Sequence, residues 1–225
     1  MLFLHALPLD GSMWTAYADM CPGSFCAPTL YGLGDSVEQW ADEALRRAAG
    51  DRLIVVGCSV GGSCALEVAL AAPQRVAALV LIVTKARHVP DPGLHAEAVD
   101  LIANEGMEAA WAQYWAPLFS KSADEDIVTA ARAKALCCSP ADIASGVTAF
   151  HSRRSRDTSV PEIRCPVIVV TGEDDVAPGP EASTRLAASA RRGRLHVVPS
   201  CGHYVPLEKP DRMRVILEEA LRAGA

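Results

Sequence analysis

The chain reads as an α/β protein: a mostly parallel sheet of about six strands with a helical insertion packed over one end. Three observations predict this. Five apolar runs are continuous rather than alternating, as strands buried on both faces of a parallel sheet are. Helical patterns separate those runs, which is the order of a βα unit repeated. One long helical and polar stretch, about 87–160, breaks the alternation, yet no repeat, low-complexity tract or linker marks off a second unit. Residues 1–225 therefore read as one domain carrying a cap at about 87–160. With 225 residues, of which 50% are hydrophobic and 21% charged, the chain is long enough to bury a substantial core.

In chain order, the strand-like runs are "LFLHA" (2–6), "LIVVG" (53–57), "ALVLIV" (78–83), "VIVVTG" (167–172) and "RLHVVP" (194–199). "GSFCAPTL" (23–30) supplies a further short strand. The first helix spans 36–50, with Val37, Trp40, Ala44 and Leu45 on one face and Gly50 as its stop. The second runs from Val60 to the region of Pro73. Helices over 180–193 and 209–224 each start near a proline and end at a glycine.

Charge and composition exclude several function classes. The net charge is −6 and no basic run exceeds two residues, which argues against nucleic acid and against an anionic membrane surface. The opening "MLFLHALPLD" is apolar for only four residues before His5 and lacks the basic start of a signal peptide. No apolar run approaches the roughly 18–20 residues of a membrane span. The expectation is a cytoplasmic protein, monomer or homodimer. Eight cysteines are present, none spaced C-x-x-C and none joined by a histidine motif, so most of them read as reduced, small, buried residues, and no metal site is expected.

The chemistry centres on "IVVGCSVGGSCAL" (54–66), where a buried strand gives way to a helix around Ser59. Gly57-Cys58-Ser59-Val60-Gly61 fits G-x-S-x-G, a turn so tight that its flanks must be small. The helix N-terminus beneath the serine offers free N–H groups to a developing oxyanion. The plainer alternative is an ordinary turn serine. A serine needs a base to take its proton, and six histidines are candidates. His203 lies in a loop after the last strand, where sites form in α/β folds. His196 sits inside that strand, and His5 closes the first strand as a hydrogen-bonded structural residue. His88, His95 and His151 belong to the insertion, where pocket and solvent are both open to them. A third group must orient the base. Glu173, Asp174 and Asp175 follow a buried strand at the same end of the sheet, in the chain order Ser…Asp…His. A solvated acidic turn is the alternative reading there.

These motifs, taken in order, resemble the α/β-hydrolase superfamily over nearly the whole chain. "FLHALPLDGSMW" resembles its first conserved strand and oxyanion loop, and "PTLYGLGDS" its D-x-x-G-x-G-x-S loop. "GCSVGG", "TGEDDVAP" and "GHYVPLEKP" look like its nucleophile, acid and histidine motifs. The resemblance selects Asp175, three residues after the glycine, and implies a triad of Ser59, Asp175 and His203. It also implies oxyanion donors at the backbone N–H groups of Leu7 and Val60. Two departures stand out: Ala6 replaces the glycine usual after the first-strand histidine, and the opening β-hairpin is not expected because the chain starts at the strand bearing His5. The stretches "VLIVTKARH" and "SRRSRDTSVPEIRCPVIVVTGEDD" look most like small carboxylesterases and 3-oxoadipate enol-lactonase-type hydrolases.

What the resemblance implies is a serine hydrolase that cleaves a small carboxylic ester or lactone through an acyl-enzyme, with no metal and no organic cofactor. Thioesterase, hydroxynitrile lyase-like or perhydrolase action on the same scaffold are alternatives, as is a ligand-binding protein without catalysis. Within the insertion, Trp111, Tyr114, Trp115 and Phe119 follow helical spacing. They read either as the buried face of a cap helix or as the roof of a substrate pocket. Arg87 and Arg156 are candidates to meet a substrate carboxylate, against the alternative of ordinary surface arginines.

Overall fold

A computed structural model describes all 225 residues. The five continuous apolar runs become β1 (Leu2–Leu4), β2 (Leu53–Cys58), β3 (Val76–Ile82), β4 (Val167–Gly172) and β5 (Gly193–Val198). They lie side by side in that order, and every pairing is parallel. The sheet thus has five strands rather than six. The stretch 23–30 contributes a single bridge, Leu2 to Cys26. There the Phe3 N–H donates to the Cys26 carbonyl at 2.8 Å and the Cys26 N–H to the Met1 carbonyl at 3.0 Å. The next donor of a parallel ladder falls at residue 28, and Pro28 has no N–H, so the strand stops.

Cys26 lies on the edge of β1 opposite β2, so the chain steps to one side of β1 and then crosses back to the other. Connections that diverge in this way open a crevice at the carboxyl ends of the strands.

Helices cover both faces of the sheet. α1 (Val37–Arg47) begins at Ser36, whose hydroxyl accepts the Gln39 N–H at 3.2 Å, and it ends with Arg46 and Arg47 at the negative pole of its dipole. It packs on α2 (Val60–Ala71), which lies against β1, β2 and β3. Ten of the twelve residues of α2 are buried, consistent with a helix that is apolar all round. On the other face lies α8 (Pro210–Gly224), whose Met213, Ile216, Leu217 and Ala220 repeat at helical spacing and are buried. Beside it runs a ten-residue 3₁₀ segment, Gly11–Met20, started by Asp10 through its bond from the Ser12 N–H. α6 (Gly179–Ser189) packs on β4 and β5, and the short α7 (Val205–Glu208) precedes α8.

Between β3 and β4 the chain forms α3 (Pro92–Ala110), α4 (Glu125–Cys137) and α5 (Pro140–Ser152), with α3 packed on α5. Gly106, at φ 83°, breaks α3 near its end. Trp111–Trp115 is a π turn and Ala116–Leu118 a 3₁₀ turn. No helix is long and apolar enough to cross a membrane.

Candidate active site

Ser59 stands where β2 ends and α2 begins, at φ 55° and ψ −117°, a conformation rare for any residue with a Cβ. The glycines around it are enforced by close approach. A Cβ on Gly57 would collide with the Gly61 carbonyl, and one on Gly61 with the carbonyls of Leu4 and His5. The turn is pinned from β3: the Ser59 N–H donates to the Ile82 carbonyl at 2.9 Å, and the Thr84 hydroxyl lies 3.0 Å from the carbonyls of both Ser59 and Ile82.

His203 is buried after β5, its N–H donating to the Leu118 carbonyl at 2.8 Å. Its ring Nδ1 lies 2.8 Å from Oδ1 of Asp175. The three acids that follow β4 separate cleanly. Glu173 accepts the Ser200 N–H, Asp174 accepts the Ser120 hydroxyl, and Asp175 alone bonds His203. Asp175 also accepts the N–H groups of Ala177 at 3.1 Å and Gly179 at 3.0 Å. Burial pushes its carboxyl pKa up, but the bonds from His203, Ala177 and Gly179 outweigh that and hold it below the ordinary carboxylate value. An ionised carboxylate only accepts, so Nδ1 of His203 donates to it, and Nε2 has no hydrogen-bond partner within the chain.

Ser59, His203 and Leu7 all line one cavity of about 450 Å³ at the carboxyl ends of the strands. No hydrogen bond joins Ser59 to His203 in this arrangement; such bonds are often long before substrate binds. The wall opposite comes from the inserted helices, with Leu94, Ile102, Trp115, Val147 and Phe150 giving it an apolar surface.

The aromatic run of the insertion divides. Tyr114 and Trp115 line the cavity, whereas Trp111 and Phe119 do not. Trp111 and Phe119 are buried against each other, ring centroids 6.0 Å apart, and Phe119 stacks on Tyr204 at 4.5 Å. Tyr204 in turn meets the His203 ring edge-on at 5.5 Å, so this pair backs the histidine loop. Helical spacing fails here because the π turn closes i to i+5, with the Ala116 N–H on the Trp111 carbonyl, and rotates the residues off one face. Neither sequence-nominated arginine reaches the cavity. Arg87 is exposed, and Arg156 is committed to Glu67 through a two-pronged pair at 2.6 and 2.7 Å.

The histidines of the insertion also separate. His88 and His151 line the cavity, and His95 stacks on His151 at 5.4 Å. His5 is fully buried, accepts the Leu30 N–H on Nε2 at 2.8 Å, and so donates from Nδ1 to the Ala6 carbonyl at 3.1 Å. His196 bonds Glu219 at 3.0 Å, away from the cavity.

Thr84, Lys85, Arg153 and Glu208 also contribute and were not singled out by sequence. Glu208 is buried, accepting the Ser120 and Gly202 N–H groups on one oxygen (3.1 and 2.9 Å) and the Tyr204 N–H on the other (3.1 Å). It ties the loop on both sides of His203. Its signal in the sequence is an acid set within the otherwise apolar "YVPLE".

Residues 1–214 match the Alpha/beta hydrolase family. A pimeloyl-[acyl-carrier protein] methyl ester esterase of Aromatoleum aromaticum is 27% identical over 246 residues, covering 99% of this chain and 98% of that protein. Among solved structures, a thermophilic esterase from Thermogutta terrifontis superposes with a TM-score of 0.88 at 25% identity, over 99% of this chain and 89% of that one. The enol-lactonase from Burkholderia xenovorans LB400 shares the fold, with a TM-score of 0.79 at 20% identity over 98% and 90% of the two chains. With a family match over nearly its whole length and this sheet beneath it, the chain belongs to the alpha/beta hydrolases.

Proposed function

We propose that the protein is a serine hydrolase that cleaves a small carboxylic ester or lactone through an acyl-enzyme. The observation that carries this reading is the convergence on one cavity of a strained serine and of a histidine whose Nδ1 is held by a buried, ionised carboxylate. In the proposed cycle, Nε2 of His203 takes the proton from Ser59 as its Oγ attacks the substrate carbonyl. Asp175 keeps the ring in the right tautomer and stabilises the cation that forms. The tetrahedral oxyanion is met by the N–H groups of Leu7 and Val60. The N–H of Val60, as the first residue of α2, has no acceptor within its own helix and sits at the positive pole of the helix dipole. His203 returns the proton to the departing alkoxide, and water then repeats the sequence in reverse to release the acid.

A cavity of about 450 Å³ suits a small molecule rather than a polymer. The ester chemistry in the names of the matched proteins supports the reading. All eight cysteines are free, which fits the cytoplasmic setting we propose with it. The test is turnover of short-chain p-nitrophenyl esters by wild type and by Ser59→Ala. Wild type should hydrolyse them, and the variant should lose several orders of magnitude in kcat/KM while keeping its fold. Equal activity in the two proteins would remove Ser59 from the chemistry.

A further inference from the structure

The cavity carries positive charge for which ester cleavage has no use. Arg153, just past the end of α5, lines it and is 6% exposed. Its Nη1 donates to the Phe150 carbonyl, and its guanidinium carbon lies 3.8 Å from the centroid of the Phe150 ring, itself part of the wall. Its Nη2 is buried and has no hydrogen-bond partner, and no carboxylate of the chain pairs with it. A buried donor of a charged group left in this state costs free energy that folded proteins ordinarily recover with a partner. Glu67 lines the adjoining recess with Arg153, but gives both of its oxygens to Arg156.

A second cation stands beside it. Lys85 lines both the cavity and the recess. Burial alone lowers the Arg153 pKa to about 10, and burial together with the charge of Arg153 lowers that of Lys85. Arg153 therefore stays protonated at neutral pH. Among the histidines on the walls, burial pushes His88 and His151 down, His151 to about 4, so that His151 is neutral at neutral pH. Asp91 is exposed and spends its carboxylate capping α3 through the Leu94 N–H at 3.0 Å. The cavity thus presents two cations against one exposed acid. Ser63 lines the cavity and the recess with both cations, and stands one helical turn past Ser59, about 6 Å of rise.

We infer that Arg153 and Lys85 form an anion subsite, and that the ester or lactone cleaved at Ser59 carries a second, free carboxylate that docks there. The inference rests on the esterase reading for which bond is cut, but not for the existence of the subsite. A guanidinium fork matches the two oxygens of a carboxylate, and the low dielectric of the cavity strengthens the pairing. The apolar wall of Ile102, Val147 and Trp115 suits a spacer of a few carbon atoms between the two groups. Hydrolysis of such a substrate releases a dicarboxylate, or a hydroxy-dicarboxylate from a lactone.

The experiment compares kcat/KM for monomethyl adipate and for its neutral carboxamide isostere, followed by proton release at fixed ionic strength. Wild type should prefer the anion by about 10- to 100-fold, the scale of a charge-assisted hydrogen bond. Arg153→Met should bring that ratio close to one, with Arg153→Lys restoring part of it. Because Arg153 is buried, Lys85→Met, a change at an exposed position, supplies a second variant and should also lower the ratio. Calorimetry of adipate against adipamide on Ser59→Ala protein reads the subsite without chemistry, and adipate should bind more tightly by a similar factor. Ester turnover with a ratio near one, or a ratio unchanged in the folded variants, overturns the subsite and leaves the esterase reading standing. Selective adipate binding by a protein that cleaves no ester overturns the esterase reading and keeps the subsite.

Discussion

Two residues at the carboxyl ends of neighbouring strands have positive φ, Ser59 at 55° and Val83 at 48°. Each costs about 1–3 kcal/mol relative to relaxed backbone, the more so for β-branched Val83. Both line the cavity, whereas the third non-glycine residue at positive φ, Ser200 at 49°, is exposed in the turn after β5. His5 shows a single residue coupling stability to pH. Burial pushes its pKa from 6.5 down to about 4, and its Nε2 must stay unprotonated to accept the Leu30 N–H. The unfolded chain takes up this proton below pH 6.5, whereas the folded protein refuses it until about pH 4. The contribution of His5 is therefore complete above pH 6.5 and lost as pH falls from 6.5 towards 4, by roughly 3 kcal/mol in total. His151, also lowered to about 4, gives a slope of the same sign. Urea unfolding across this range should thus show a shallower decline in His5→Gln than in wild type, and identical slopes would refute the assignment. Glu208 is the other residue whose effect exceeds its size. Glu208→Ala strands three N–H groups around His203 and should cost about 2–4 kcal/mol. It should lower kcat more than it changes KM, with Glu208→Gln recovering part of both; an unaltered kcat would make Glu208 a packing residue only.

At the scale of elements, legibility followed burial. Strands covered on both faces appear as continuous apolar runs, and β2, β3 and β4 fall close to where those runs lie; β5 also lies at its run, but as an edge strand it is largely exposed, with only Val198 buried. Helices with one buried face, α1 and α8, were legible from their period and their flanking Ser, Pro and Gly. The Cys26 segment has strand-like composition, but its ladder ends at the missing N–H of Pro28, a constraint that acts only once its register against β1 is known. The 3₁₀ segment Gly11–Met20 was not foreseen, because its Trp14 and Tyr17 follow neither strand nor α-helical period over enough residues to register. The aromatic cluster shows the same limit. A π turn shifts Tyr114 and Trp115 to the cavity and leaves Trp111 and Phe119 behind the histidine loop. Trp111→Ala should therefore cost about 3–5 kcal/mol of stability and leave the ratio of kcat/KM between acyl chain lengths unchanged. Trp115→Ala should reorder that preference by roughly 1–3 kcal/mol. Assays of a p-nitrophenyl ester series on both variants, beside their urea midpoints, check the division; the reverse pattern would exchange the two roles.

Across the whole molecule, the candidate site draws on segments from Leu7 to His203, and the sheet is what assembles them. Ser59 was legible because its glycines are demanded by backbone approaching backbone, which only small residues permit. His203 and Asp175 were legible as loop residues after strands, Asp175 after buried β4 and His203 after the largely exposed edge strand β5, with the choice of Asp175 over its acidic neighbours coming from the family resemblance. The stretch "SRRSR" marks where legibility ends. Arg153 is buried in the cavity, Arg154 is exposed beside Glu38, and Arg156 is paired with Glu67. Nothing local separates the three, since their fates depend on how α5 lies against α3 and on what α2 presents. The proposed chemistry requires Ser59 to be an activated nucleophile. Its most direct test is the intact mass of the folded protein after treatment with a fluorophosphonate, followed by mapping of the modified peptide. One phosphonyl group on Ser59, absent in Ser59→Ala and much slowed in His203→Ala, is the predicted result; folded wild-type protein that stays unlabelled, or is labelled at another residue, would contradict it.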